Sequence, residues 1–118
     1  MKLIKLLIIL LFPVLCHSQS VKTIKINGEL TIVHFNADWN SANDVKWFTK
    51  LSDAKKMNCN IAKDTKAGEK YQIVVVPTII IFHEGEEVKR FQADISFTMK
   101  ATKEEVQEEI DNIVSESF

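Results

Sequence analysis

The run from Ile73 to Phe82 constrains the fold more than any other stretch of the chain. Nearly all of its side chains are apolar and most are β-branched, with Pro77 inside the run. A continuous apolar run of this length is typical of a strand that is buried on both faces, because a strand with one wet face alternates apolar and polar residues. We therefore expect a sheet that is covered by helices on both faces.

The rest of the chain divides into short strands and helices, and it contains no internal repeat. The segments that precede the apolar run are predicted strands at 21–26, 30–36 and 58–63, an amphipathic helix at 44–55, and a short helix with a loop at 64–71. The segments that follow it are a turn at 84–86, an antiparallel strand at 87–92, a loop at 94–101 and a helix at 102–114. This order, in a chain of 118 residues, predicts one small α/β domain.

Two of the predicted helices begin with residues that suit a capping box. Ser41 stands three residues before Asp44, and Thr102 stands three residues before Glu105. In a capping box the first side chain accepts a hydrogen bond from the backbone of the third helical residue, and the acidic side chain bonds back. Both pairs predict where a helix begins.

The first 20 residues have the composition of a secretory signal peptide. Two lysines are followed by an apolar run at 6–12 and then by small and polar residues. The apolar run is too short for a membrane-spanning helix, which needs roughly 20 residues, so a membrane anchor is the less favoured alternative. We expect cleavage near Ser18 to Ser20, export to the bacterial periplasm or the extracellular space, and no stable membrane span in the mature chain.

Cysteine content and charge narrow the function further. Cys16 would leave with the signal peptide, so Cys59 would be the only thiol of the mature chain, without a partner for an internal disulfide. The whole chain has a net charge of −1, which loss of the two N-terminal lysines makes more negative. That balance gives no indication of nucleic-acid binding, which calls for a basic face. No spacing of Cys, His, Asp or Glu matches a recognised metal motif, so neither a metal nor a cofactor is expected.

Two motifs resemble the thioredoxin family. The first is Val33–Trp39, a strand that ends in Phe-Asn-Ala-Asp-Trp and leads into a turn; the second is Lys70–Ile73 followed by Val76-Pro77-Thr78 and three aliphatic residues. The resemblance covers residues 30–118. It implies the thioredoxin fold, with a central mixed sheet of four to five strands flanked by helices on both faces, and a cis peptide bond at Val76–Pro77.

The departures from the family decide what chemistry is expected. Where thioredoxins place Cys-x-x-Cys directly after the tryptophan, this chain has Asn40-Ser41-Ala42-Asn43. Dithiol exchange needs one thiolate to attack a disulfide and a second thiol to resolve the mixed intermediate, and an amide does neither. No catalytic residue is therefore expected, and Trp39 to Asn43 (Trp39, Asn40, Ser41, Ala42, Asn43) form a vestigial active-site turn.

Three further positions can be compared with the family: two differ from it and one matches. The family's buried acidic residue is replaced by His34, Lys63 matches the family's lysine, and the glycine of its last strand is replaced by Gln92 or Ala93. The resemblance also implies a groove that holds an extended peptide beside the cis-proline. Its predicted residues are Val76, Pro77, Thr78, Gln92 and Ala93.

These observations lead to one main function hypothesis and one alternative. The main hypothesis is an exported thioredoxin-like protein that lacks dithiol redox activity and binds an extended peptide or a partner protein at the vestigial groove. The alternative is a thiol–disulfide oxidoreductase that works through the single residue Cys59.

We expect Cys59 to be a buried structural cysteine early in its strand, at the end of the sheet opposite the turn, because reactive thiols need an accessible electropositive setting. His34 is expected to be a hydrogen-bonded structural residue.

Two questions stay open in the sequence. Phe97 and Met99 lie in the loop at 94–101, and contact with a partner and cover for the core are equally good interpretations. Residues 21–29 are predicted to form a strand and a turn, and Asn27-Gly28 is a strong hairpin signal. The strand at 30–36, however, is central in the fold that the resemblance implies. Residues 21–26 would therefore skip to the sheet edge beyond 58–63, which we favour, pair with another molecule to form an oligomer, or stay loosely ordered.

Overall fold

A central mixed sheet organises the chain. The computed structural model describes Ile26 and residues 28–117, and its four strands have the order β2-β1-β3-β4. Their bounds are β1 Thr31–Asn36, β2 Lys55–Asn60, β3 Thr78–His83 and β4 Glu86–Gln92. β1 is parallel to β2 and antiparallel to β3, and β3 is antiparallel to β4. The mixed sheet expected from the sequence is confirmed.

Helices cover both faces of this sheet, as predicted. The α-helices are α1 Thr65–Lys70 and α2 Lys103–Glu116, and the 3-10 helices η1 and η2 are Asp38–Asn43 and Lys46–Lys50. On one face, α2 and η2 pack their apolar side chains on Ile32, Ile79 and Ile81. On the other face, α1 contributes Ala67 to a second cluster of buried residues: Val33, Phe35, Cys59, Ile80 and Phe82. β1 and β3 are consequently buried on both faces.

The predicted helix at 44–55 is wrong. Asp44 and Val45 have extended backbone, with ψ of 142° and 95°, and they separate η1 from η2. Two side chains of β1 hold this break open, since the Val45 amide donates to His34 Nε2 and Asp44 Oδ1 accepts from Asn36 Nδ2. The Ser41–Asp44 capping box is also absent, because Ser41 lies inside η1 and η2 begins after Val45 without a side-chain cap.

Two predicted strands have different bounds in the structure. β2 begins at Lys55 rather than at residue 58 and ends at Asn60 rather than at residue 63. It lies at the edge of the sheet, where exposed lysine side chains are tolerated. β3 begins at Thr78 rather than at residue 73, because proline has no amide hydrogen for the ladder. The Val76–Pro77 peptide bond is cis, as the resemblance implied.

The C-terminal half follows the sequence prediction closely. The turn joins β3 to β4 through Glu84 and Gly85, so that β4 begins one residue earlier than predicted, and α2 begins one residue after Thr102. Its capping box is complete, with the Glu105 amide 3.2 Å from Thr102 Oγ1 and Glu105 Oε1 2.9 Å from the Thr102 amide. This cap fixes where the loop at 94–101 ends and α2 begins.

Two predictions concern residues outside the described part of the chain. The signal peptide at 1–20 lies there entirely, and so does most of the predicted strand and turn at 21–29. Ile26 is described, and it packs against the α1 face of the core. Within the described residues, no helix has the length and apolar character needed to cross a membrane.

Candidate functional site

The predicted vestigial turn forms η1, directly after β1. Trp39 leaves 66% of its surface exposed, and Ser41 and Ala42 are exposed beside it. Asn40, at the position where the family has its first cysteine, is by contrast only 6% exposed. The turn therefore presents an indole ring to solvent and directs one amide side chain into the protein.

The buried amide of Asn40 joins three segments of the chain. Its Nδ2 lies 3.1 Å from Asn36 Oδ1, 3.2 Å from the Phe97 carbonyl oxygen and 3.4 Å from the Val76 carbonyl oxygen. Its Oδ1 accepts a hydrogen bond of 2.9 Å from Asn43 Nδ2. One side chain thus links the end of β1, the cis-proline segment and the loop at 94–101.

The neighbouring Asn36 completes this network. Its Nδ2 donates to the Asn40 carbonyl oxygen at 3.1 Å and to Asp44 Oδ1 at 2.6 Å. Among the described residues, no buried side-chain nitrogen or oxygen lacks a partner. Since buried amides are stable only when hydrogen-bonded, the network is a structural clasp. The residue types were its only signal in the sequence.

The structure brings the two predicted halves of the peptide groove together. The Ala93 amide donates to the Pro77 carbonyl oxygen at 3.0 Å, and Thr78 Oγ1 donates to the Val75 carbonyl oxygen at 2.7 Å. Pro77, Thr78 and Ala93 are buried, as is Val76, whereas Gln92 is exposed. Peptide binding by these residues stays a prediction.

Apolar side chains are exposed around this position. The ring of Phe97, 40% exposed, meets the Trp39 ring edge to face at a centroid distance of 5.3 Å. Val74, which the apolar run placed in a buried strand, is 81% exposed, and Ile95 is 94% exposed. Pro77 was the signal that Val74 lies outside the strand. We call the surface formed by Trp39, segment 74–78 and loop 94–99 the Trp39 edge.

Phe97 and Met99 have different roles, which the sequence did not distinguish. Phe97 stands on the exposed rim against Trp39. Met99 is half-buried, packs against the core under α2 and pairs with Ala93 in an isolated antiparallel bridge. One residue of the loop is therefore available for contact, and the other covers the core.

His34 lies buried below the turn as a structural residue, as predicted. Its Nδ1 lies 3.0 Å from Asn58 Oδ1, and its Nε2 accepts from the Val45 amide at 3.3 Å. Asn58 Oδ1 can only accept and the Val45 amide can only donate, so both bonds are made by the neutral imidazole with its proton on Nδ1. Asn58 is therefore the side chain to which His34 is hydrogen-bonded. Lys63, which matches the family's lysine, is exposed and follows β2.

The environment of His34 makes the stability of the protein depend on pH. Burial lowers the pKa of His34 from its ordinary 6.5, against the opposing effects of the Asn58 hydrogen bond and the Asp44 charge. As pH falls below about 6.5, the unfolded chain takes up this proton before the folded one. The stabilisation is therefore present above that pH and is lost as pH falls toward the folded pKa.

We expect wild-type protein to lose stability relative to His34→Gln between pH 7.5 and 5, by at most about 1.4 kcal/mol per pH unit for one proton. Urea unfolding at several pH values measures the difference. The comparison with the uncharged variant removes the contribution of the carboxylates, which both proteins share. Parallel stability curves for the two proteins would contradict a buried neutral His34.

The predicted position of Cys59 is wrong. It is paired with Phe35 near the end of β2, and because β1 and β2 are parallel it lies at the same end of the sheet as the turn. It shares the lining of a cavity of about 220 Å³ with His34, Asn36 and Ser41. The error follows from the three-residue shift in the bounds of β2.

Cys59 is nevertheless buried, as expected, and its surroundings suppress the thiolate. Burial raises its pKa to about 11, and the Asp64 charge and hydrogen bond add to the effect. Its Sγ lies 3.9 Å from Asp64 Oδ2. In the part of the chain that the structure describes, no three His, Cys, Asp or Glu side chains are grouped so as to hold a metal ion.

Comparison with known proteins identifies the fold of the chain. No family profile matches the chain, and no curated protein matches it significantly. Solved structures do match: reduced thioredoxin pre-protein from Schistosoma mansoni has 22% identity and a TM-score of 0.58, and the match covers 86% of this chain and 88% of that one. Thioredoxin 1 from Thermosipho africanus has 20% identity, a TM-score of 0.56 and coverage of 74% and 97%. A mutant thioredoxin from Halobacterium salinarum has 19% identity, a TM-score of 0.57 and coverage of 73% and 74%. The chain therefore has the thioredoxin fold.

Proposed function

We propose that this chain is an exported protein that binds an extended peptide or a partner protein at the Trp39 edge, without dithiol–disulfide exchange. One observation carries the proposal: Asn40 holds three segments together at a position where apolar rings stand in solvent. Exposed apolar side chains that form a contiguous patch commonly mark an interaction site, whereas singly scattered ones are normal on any surface. Trp is among the residues that supply most of the binding energy at such sites, and Phe is enriched in them.

The side chains of the turn support the absence of redox chemistry. Asn40 and Asn43 have neither a nucleophilic sulfur nor a leaving group, and Asn40 is committed to internal hydrogen bonds. Cys59 is the one free cysteine among the described residues. A buried thiol with a raised pKa is a poor attacking group, because the thiolate is the nucleophile.

Export is part of the proposal and is supported by residues 1–20. Their basic start, short apolar run and polar end are typical of a secretory signal peptide. Such a chain would meet its partner in the periplasm or outside the cell. Expression of the full chain followed by N-terminal sequencing of the exported product tests this directly, and a product that still begins at Met1 would contradict it.

The binding proposal predicts that capture of a partner depends on Trp39. Immobilised wild-type protein is compared with Trp39→Ala on the exported protein fraction of the host, with captured proteins measured by quantitative mass spectrometry. Removing a central aromatic anchor of an interface commonly costs 2 kcal/mol or more, so we expect at least about a tenfold loss of a specific partner.

Val88→Ala provides the matched control. Val88 is an exposed apolar side chain on β4 and lines a cavity with His83 and Ile113, away from the turn. The partner should be captured equally by wild type and by this variant. Equal capture by wild type and Trp39→Ala would move the binding site away from the Trp39 edge.

The alternative function, exchange through Cys59, predicts a reactive thiol in the native protein. With a pKa of about 11, roughly one thiol in a thousand is ionised at pH 8. We expect a disulfide reagent such as dithiobis(nitrobenzoate) to label Cys59 at least about a hundredfold more slowly in native protein than in urea. In the exported product, which lacks Cys16, Cys59→Ala gives the zero-labelling control. Native labelling as fast as in urea would favour the alternative.

A further inference from the structure

The loop at 94–99 lies across the Trp39 edge as a compact unit. Its base is the antiparallel bridge between Ala93 and Met99, and its turn is closed by the Phe97 amide, which donates to the Asp94 carbonyl oxygen at 3.0 Å. Asp94 Oδ1 also accepts from the Ser96 amide at 2.9 Å. The loop thus keeps its own shape through contacts near its base.

Two contacts join the tip of this loop to the turn, and Phe97 makes both. Its carbonyl oxygen accepts from Asn40 Nδ2 at 3.2 Å, and its ring packs edge to face on Trp39. The Asn40 donor is shared, because the same nitrogen also lies 3.4 Å from the Val76 carbonyl oxygen. The tip is therefore attached through one shared hydrogen bond and one exposed ring contact.

The backbone of Phe97 is strained in this position. Its φ is +62°, in the left-handed region that a bulky side chain rarely adopts. A residue keeps such a conformation only while surrounding contacts hold it. Here it is held by the hydrogen bond from the Phe97 amide to the Asp94 carbonyl oxygen and by the two contacts with Asn40 and Trp39.

We propose that residues 94–99 form a strap that closes the Trp39 edge in the free protein, with Asn40 as its latch. The inference rests on the proposed function: in the closed state the Phe97 ring packs against the Trp39 ring, of which 66% stays exposed, and Asn40 is bonded to the Val76 carbonyl oxygen, where an extended peptide would lie along the cis-proline. A partner must displace Phe97 from Trp39 before it binds.

The strap can be tested with its own sequence as the probe. A labelled synthetic peptide Asp94–Lys100 is titrated into the full chain and followed by fluorescence anisotropy. In wild type the internal strap competes with this peptide; in Phe97→Ala it competes weakly. We expect Phe97→Ala to bind the peptide at least tenfold more tightly than wild type, and a peptide with the same residues in scrambled order not to bind.

Two variants make the result specific. Val88→Ala changes an exposed apolar side chain of β4, away from the turn, and should bind the peptide as wild type does, whereas Phe97→Ala with Trp39→Ala should not bind it. Circular dichroism shows that each variant is folded. Weaker or equal peptide binding by Phe97→Ala, or no binding by any variant, overturns the strap.

The same variants separate failure of the strap from failure of the proposed function. In the capture experiment with exported proteins, a closed strap predicts that Phe97→Ala captures more partner than wild type. If Phe97→Ala captures less while Trp39→Ala captures none, the edge binds a partner but Phe97 is part of the binding surface. If Trp39→Ala captures as much as wild type, the proposed binding site is wrong whatever the peptide titration shows.

Discussion

Replacing Asn40 with alanine is expected to lower the free energy of unfolding by about 3 kcal/mol, an unusually large effect for a residue in a turn. The side chain is buried and contacts four partners: Asn36, Asn43 and the carbonyl oxygens of Val76 and Phe97. Its loss leaves buried oxygens without a donor, and each such group costs roughly 1–3 kcal/mol. Water entering from the exposed rim would bond to some of these oxygens and so reduce the total loss of stability.

Urea unfolding at pH 7.5, followed by circular dichroism, measures this loss, and Asn43→Ala is the matched control. Asn43 is half-buried and donates one hydrogen bond, to Asn40 Oδ1, so its replacement should cost about 1 kcal/mol. If the two variants lose the same small amount, Asn40 is not a clasp, and the turn has some other reason to bury an amide.

The parts of the fold that could be predicted from the sequence are those whose causes are local. The apolar run at 73–82 indicated a sheet buried on both faces, and Thr102 with Glu105 marked the start of α2 within one residue. The turn at 84–86 was equally clear, because Gly85 adopts a φ of +81° that favours glycine. In each case neighbouring residues determine the geometry.

The errors arose where distant contacts override local pattern. The apolar spacing of residues 44–55 fits a helix, yet His34 and Asn36 of β1 bind Val45 and Asp44 and divide the segment. The placement of Cys59 failed for a related reason: an edge strand accepts lysines, so the start of β2 could not be found from apolar residues alone.

The candidate site was predicted in position but not in its contacts. The residues of the turn and of the cis-proline segment were named correctly as neighbours, since Asn40 reaches the Val76 carbonyl oxygen. Asn40 also bonds to a third segment of the chain through the carbonyl oxygen of Phe97. This oxygen belongs to a loop, and no periodicity in the sequence predicts the path of a loop. An asparagine in a sequence does not indicate which acceptors it will meet.

The second large expected effect is an absence of catalysis. A dithiol oxidoreductase accelerates disulfide reduction because one thiol attacks and the other resolves the intermediate. Here the positions of both thiols hold amides, one of them buried in the clasp, and Cys59 is buried with a pKa of about 11. We therefore expect no turnover of a protein disulfide, although the fold is that of thioredoxins.

Reduction of insulin by dithiothreitol, followed by the turbidity of the precipitating B chain at pH 7, tests this central claim most directly. Wild type, Cys59→Ala, Asn40→Ala and a thioredoxin as positive control are compared at equal concentration. The account predicts that wild type and Cys59→Ala both give the rate of dithiothreitol alone. A wild-type rate well above that background, lost in Cys59→Ala or in Asn40→Ala, would contradict it.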